Sequence, residues 1–497
     1  MLWNPSCAKL GARLAAGLLA GLIVSPLATA QAGASLPPEV DALLARAKVP
    51  RDALAAIVVD AAPALNGKAA LAQPLLSYRA SAAMNPASVM KLVTTYAGLE
   101  LLGPSFSWST PVYVDGTVKD GVLAGNLVIQ GQGDPKLVME RLWLLLRRVQ
   151  GLGITSISGD ILLDRSAFAA AAQNPADFDG EPLRPYNATP DALLINYKSV
   201  VMTFVPNPGS GVATVGFEPP LAGVQLQASV PLSAAGNGGA SPLECGDYRT
   251  RLKADFSDPL RIAFNGSYPV ACGEKTWAVA YADPASYAER AIAGLWQEMG
   301  GKLAGRVREG RAAANQRPVF EVISPTLAEV IRDINKYSNN VMAQQLFLTL
   351  SQQRAGQASN EASRELLRNW WRERFGEQEL PVLDNGSGLS RQERVSPQGL
   401  ARMLQTAYVS GAMPELMASL PIIGVDGTLR RSRSRVSQGW AHLKTGSLRD
   451  ATALAGYVHL PSGRRLVVVA IINHPNAAAA RPALEALVDW AVKEGSR

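Results

Sequence analysis

Ser88 and Lys91 stand three positions apart in Pro86-Ala87-Ser88-Val89-Met90-Lys91. On a helix both project from one face, about 5 to 6 Å apart at Cβ. A serine hydroxyl is a poor nucleophile until a base takes its proton. Lysine can be that base only when neutral, far below its usual pKa of about 10.4, and burial or a second nearby cation favours that state. Val89, Leu92, Val93, Tyr96 and Leu99 recur at helical spacing, Pro86 suits a first turn and Gly103 suits an end, which predicts a helix from 86 to about 102. Ser88 then lies in the first turn, where free N–H groups and the positive dipole end can hold a tetrahedral oxyanion. The pair alone carries little weight, because Ser-x-x-Lys arises by chance about once or twice in a chain of this length.

Two further patterns change that weight. Ser338-Asn339-Asn340 ends one amphipathic segment and begins another; read singly it is a helix cap, but it also places polar groups at a junction beside a cleft. Lys444-Thr445-Gly446 lies on a predicted strand, where glycine permits close approach of a substrate backbone and the lysine and threonine can hold a carboxylate. That tripeptide is expected by chance about 0.1 times per chain. The three in this order, on helix, junction and strand, argue for one site.

The elements that must position them are legible as pattern. Ala55 to Asp60 and Leu75 to Arg79 read as an opening hairpin turned at Asn66-Gly67. From about 104 to 283 the texture changes to short apolar runs, such as Gly125 to Gln130 and Val200 to Val205, broken by Gly, Pro and Asn and by the flexible run Gly236 to Gly239. Helical periodicity returns at Ser286 to Met299, Leu327 to Lys336, Val341 to Leu350 and Pro397 to Tyr408. His442 to Thr445, Ala453 to Leu460 and Arg465 to Asn473 read as strands, followed by a helix from Arg481 to about Lys493. Hairpins at both ends with helices between them predict an α+β fold, an antiparallel sheet covered by helices, with a large β-rich insertion at 105–283 and the principal part at 31–104 and 284–497.

With these motifs the chain resembles the penicillin-binding protein and serine β-lactamase superfamily. More closely it is similar to the low-molecular-mass class C D-alanyl-D-alanine carboxypeptidases/endopeptidases. The long separation between Lys91 and Ser338, Gly131-Gln132-Gly133-Asp134-Pro135, Asn385-Gly386-Ser387-Gly388-Leu389-Ser390-Arg391 and Asp426-Gly427-Thr428-Leu429 carry the closer match. Gln132 stands where another glycine is usual, and His442-Leu443 is an uncommon flank. The resemblance implies a β-lactamase/transpeptidase-like domain whose insertion forms additional domains. It implies Ser88 as nucleophile, Lys91 as its base, Ser338 as proton relay and Asn340 as a contact to the substrate peptide. Lys444 and Thr445 would receive a terminal carboxylate, with Lys444 also helping to keep Lys91 neutral; Gly446 permits close approach, and the N–H groups of Ser88 and Ser447 would form an oxyanion hole. The implied partners are peptidoglycan stem peptides and β-lactam antibiotics, with no cofactor.

Bulk properties fit. A chain of 497 residues, 47% hydrophobic and 18% charged, builds a large core in two or three domains. Lys9 and Arg13, an apolar run from Leu14 to Val24 and then Ala28-Thr29-Ala30 read as a cleaved export signal over 1–30, hence a periplasmic protein. Cys7 leaves with it, so Cys245 and Cys272 remain, either as one disulfide or as two buried thiols. Three histidines without paired spacing argue against zinc. The net charge of +7 comes without a basic and aromatic platform for nucleic acid. The C-terminal helix with Trp490 and Val492 is expected to pack on the principal part, with loose membrane association left open; the oligomeric state is not legible. The rival readings are a β-lactamase, an inactive wall-binding module and a histidine-dependent serine hydrolase. The last lacks a Gly-x-Ser-x-Gly elbow and a nearby acid for its histidine.

Overall fold

Leu-Ala-Ala-Ile-Val-Val at 54–59 and Leu-Val-Val-Val-Ala-Ile-Ile at 466–472 are apolar at every position, the pattern of strands buried on both faces. The computed structural model, which describes residues 35–62, 74–169, 174–233, 245–356 and 358–497, pairs them side by side. The elements outside the insertion include β1 (Leu54–Asp60), β2 (Leu76–Tyr78), α1 (Lys91–Leu102), α2 (Leu327–Tyr337), α3 (Asn340–Ala355), α4 (Asn360–Phe375), α5 (Pro397–Tyr408), β3 (Ala441–Leu448), β4 (Ala451–His459), β5 (Arg465–Asn473) and α6 (Arg481–Gly495). The strands form one antiparallel sheet in the order β3-β4-β5-β1-β2, with Ile57 opposite Val469 and Lys444 opposite Ala455. The expected hairpins, α+β class and sheet covered by helices are all present.

Alternation along the strands sorts the two faces. Ala55, Ile57, Val59, Val467, Val469 and Ile471 point into a core shared with α1, α2, α3 and α5. Leu54, Ala56, Val58, Val468, Ala470 and Ile472 point into a second core, closed by α6 and by a helix over Pro38–Arg46. Leu484, Leu487, Val488 and Ala491 bury α6 there, as expected of a C-terminal helix that packs on this part. Among the described helices none is long and apolar enough to cross a membrane.

The insertion holds a seven-stranded, a five-stranded and a three-stranded sheet around a core of its own. It differs from expectation in two ways. A helix over Met139–Gly151 stands in the β-rich stretch, burying Leu142, Leu145, Leu146 and Val149. The expected return to the principal part at 284 is also too early. Lys302–Leu303 pairs with Ser156–Ile157, Val307–Glu309 with the Ile161–Asp164 strand, and Phe320–Ile323 with the Ser109–Lys119 strand. The helix over Tyr287–Glu298 buries Tyr287, Ile292, Leu295 and Trp296 in the insertion's core. Periodicity identifies an apolar helix face but not the core that receives it, so the insertion runs to Ile323. Helices over Asn360–Phe375 and Met413–Ser419 add to the expected helical layer. The turn at Asn66-Gly67, the run Gly236 to Gly239 and the export signal lie outside the described residues.

Cys245 and Cys272 form a disulfide across 27 positions within the insertion. A cross-link of that span restricts the unfolded chain by about 3.5 kcal/mol. Replacing both by serine is therefore expected to lower the thermal unfolding midpoint of the protein, read by calorimetry.

Candidate active site

Ser88 is held at the edge of the sheet by asparagines. Asn85 Oδ1 accepts from the Ala87 amide at 2.8 Å, Asn85 Nδ2 donates to the Ser390 carbonyl at 2.9 Å, and the Asn473 side chain at the end of β5 bonds the Asn85 backbone through both its amide and its carbonyl. Ala87 is forced into the left-handed region with φ 48°, a strained conformation for a residue with a Cβ. A 3-10 turn over Ala87–Met90 then leads into α1, so the predicted helix begins with a tighter turn than expected.

The Lys91 amine is fully buried, 3.0 Å from Ser88 Oγ and 2.6 Å from Asn340 Oδ1, with the Ser387 carbonyl as its third partner. Asn340 is oriented by its own amide, which donates to the Tyr186 carbonyl of the insertion at 3.0 Å. Asn340 Oδ1 and the Ser387 carbonyl can only accept. A neutral amine satisfies both with its two hydrogens and turns its lone pair to the Ser88 hydroxyl. Burial lowers the Lys91 pKa to about 7, opposed by the negative charge of Glu393.

Ser338 occupies a left-handed position, φ 58°, between α2 and α3, and Asn339 caps α3 through the Met342 amide. Ser338 Oγ accepts from Lys444 Nζ at 2.8 Å, and the same amine donates to the Thr445 carbonyl at 2.7 Å. Burial, then the charge of Lys91, pushes the Lys444 amine well below its usual range. The Lys444 side chain is fully buried, and its amine bonds Ser338 and its own strand. The half-buried Thr445 hydroxyl, 2.7 Å from that of Thr428, and the exposed Ser447 are what β3 presents. A Cβ on Gly446 would lie 2.4 Å from the Pro86 carbonyl and 3.1 Å from the Ser88 amide nitrogen, so only glycine lets β3 approach Ser88 this closely.

The motifs thus converge as two hydrogen-bonded pairs, Lys91 with Ser88 and Lys444 with Ser338. Ser88 has a lysine rather than a histidine as its side-chain partner. Such an arrangement can attack an acyl carbon, with backbone N–H groups nearby to face the developing oxyanion.

A family model described as the D-Ala-D-Ala carboxypeptidase 3 (S13) family matches residues 37–494. The chain belongs to that family. It is 28% identical over 499 residues to the D-alanyl-D-alanine carboxypeptidase of Actinomadura sp. strain R39, covering 96% of this chain and 90% of that protein. It is 25% identical over 411 residues to the D-alanyl-D-alanine carboxypeptidase DacB of Haemophilus influenzae, covering 81% and 83%. The crystal structure of penicillin binding protein 4 from Haemophilus influenzae shares the fold, with a TM-score of 0.68 at 23% identity, covering 90% of this chain and 99% of that one.

Residues to which sequence reasoning gave no role also brace this cluster. Glu393 is fully buried, and its Oε1 accepts from the amides of Asp384, Asn385 and Gly386, bracing the turn whose Ser387 carbonyl meets Lys91. Burial raises its pKa to about 7, and Oε2 has no hydrogen-bond partner among the described residues. Thr428 was named only within a segment that carried the resemblance, and nothing in the sequence pointed to Glu393 or Tyr186. Gly131 to Pro135 lies instead at the junction with the insertion, where Gln345 of α3 donates to the Gly133 carbonyl at 3.1 Å.

The Lys91 side chain is expected to titrate with a midpoint about pH 7, followed by NMR of labelled lysine. Because the Glu393 carboxylate raises the Lys91 pKa, Glu393→Gln is expected to move that midpoint to lower pH. A midpoint unchanged by the substitution, or near the ordinary lysine value, would contradict this electrostatic picture.

Proposed function

We propose that this protein is an exported, periplasmic serine D-Ala-D-Ala carboxypeptidase and DD-endopeptidase that trims peptidoglycan stem peptides and cuts their cross-links. Membership of the S13 family supports the activity. The observation that supports the residue roles is the buried Lys91 amine, 3.0 Å from Ser88 Oγ with two acceptor-only groups as its other partners. The catalytic domain comprises residues 35–104 and 324–497, and residues 105–323 form the insertion.

Ser88 Oγ attacks the carbonyl carbon of the penultimate D-alanine as Lys91 takes its proton, and the N–H groups of Ser88 and Ser447 face the oxyanion. The C–N bond then breaks, and the proton that Lys91 took passes through Ser338, which Lys444 orients, to the leaving nitrogen, so that Lys91 is neutral again. Water attacks the resulting ester with Lys91 again as base, releasing the shortened peptide and restoring Ser88. Asn340 contacts the substrate peptide and Thr445 the carboxylate of the leaving residue. Loss of a terminal D-alanine is carboxypeptidase action; loss of a residue that belongs to a neighbouring stem opens a cross-link. Penicillin, opened by the same attack, remains on Ser88. Export rests on the signal pattern over 1–30.

Intact-protein mass spectrometry after penicillin treatment is expected to show one long-lived adduct that maps to Ser88 and is missing from Ser88→Ala. Rapid drug turnover without an adduct would instead make the protein a β-lactamase, and an unmodified protein with intact drug would make it a binding module. Gly446→Ala, which pushes β3 away from the Ser88 amide, is expected to slow adduct formation by about 10² to 10³.

A further inference from the structure

Beyond Thr445 the surface falls into a groove of 1140 Å³, whose wall begins at Tyr337 and Thr428, next to Ser338 and Thr445. Its outer wall is the loop Arg430-Arg431-Ser432-Arg433-Ser434-Arg435, which runs against α6. The serines of this loop and the arginines have opposite roles. Ser432 Oγ donates to Glu485 at 2.9 Å, Ser437 Oγ donates to Asp489 at 2.7 Å, and Ser434, almost fully buried, bonds Asp489 as well. These bonds tie the loop to α6. Arg430, Arg431 and Arg433 are exposed and line the groove, and their side chains have no hydrogen bond or ion pair among the described residues. The two carboxylates in the wall are already engaged, Asp426 with Lys336 at 2.5 Å and Glu485 with Arg481 at 3.3 Å and Ser432.

We propose that this groove binds the leaving half of a cross-link, an anionic stem peptide whose carboxylates pair with Arg430, Arg431 and Arg433. The inference rests on the reading of Ser88 as nucleophile and Thr445 as the carboxylate contact, since that places the leaving group on this side. A free D-alanine has a single carboxylate, held at Thr445, and does not extend into the groove. A leaving stem continues past that point and carries further carboxylates, for which arginine offers fork-shaped, charge-assisted hydrogen bonds. A row of arginines without partners among the described residues, carried on a loop tied to α6, therefore serves endopeptidase substrates alone and leaves carboxypeptidase turnover untouched.

The test compares two substrates, a monomeric pentapeptide scored by D-alanine release and a purified D-alanyl cross-linked stem-peptide dimer scored by cleavage. In the triple variant Arg430→Ala/Arg431→Ala/Arg433→Ala, kcat/KM on the dimer is expected to fall about five- to tenfold. D-alanine release and the penicillin adduct on Ser88 are expected to change less than about twofold on the same scale. Raising the ionic strength should weaken dimer cleavage by the wild type more than by the variant. The triple lysine variant, which keeps the charges, should recover part of the loss. Equal effects on both substrates, or none on either, would overturn the proposal. So would a wild-type enzyme that releases D-alanine but leaves the dimer intact, and in that case the proposed carboxypeptidase function would stand. A protein that takes up no penicillin and turns over neither substrate would sink both readings together.

Discussion

A charged amine in a protein interior is expensive, and here the sequence places two of them, Lys91 and Lys444, fully out of solvent and near each other. The cost is avoided when an amine gives up its proton, and that is the form in which Lys91 can act as a base toward Ser88. A neutral amine still satisfies both fixed partners, because its two hydrogens suffice for the Ser387 carbonyl and Asn340 Oδ1 and its lone pair is left for Ser88. The Ser387 carbonyl comes from a turn braced by Glu393, and Asn340 Oδ1 comes from a carboxamide pinned to the insertion through Tyr186. Burial of one amine thus determines what the neighbouring loops must supply.

The insertion is coupled to this arrangement by more than the Tyr186 contact. Trp108 donates from its indole to Thr349 of α3 at 2.9 Å, Lys136 pairs with Asp333 of α2 at 2.5 Å, and Gln345 of α3 bonds both Gly133 and Asp191. All three links land on the helices that flank Ser338. A separate core supports the insertion, while polar contacts fix it against the helices that position the site. The extra domains therefore act on the orientation of Asn340 as well as extending the protein's surface.

Much of this was legible in the amino-acid sequence, for reasons that differ from element to element. Unbroken apolar runs made the central strands plain, and three short motifs named Ser88, Lys91, Ser338, Asn340, Lys444, Thr445 and Gly446 because such chemistry requires fixed residue types. The end of the insertion was not legible, since the helix over Tyr287–Glu298 has the same amphipathic pattern whichever core it faces. The burial of Lys444 was hidden as well: a lysine on a strand reads as a surface charge until the packing beneath it is known. Glu393 was invisible because its role comes from three backbone amides, which leave no trace in residue type.

The pairing of β1 with β5 joins residue 54 to residue 472, and this has a consequence for how the chain acquires its structure. Such distant partners close a very large loop, and loop closure of this kind slows folding. During synthesis Ser88, Lys91 and the whole insertion exist before β3, β4 and β5 do. Until those strands arrive β1 has an open edge, a hazard for pairing with other chains. Asn473, which holds the Asn85 backbone just before Ser88, and Lys444, which holds Ser338, both belong to that last segment. The site is therefore assembled only when the final strands dock, so an incomplete chain has the serine without the geometry that activates it.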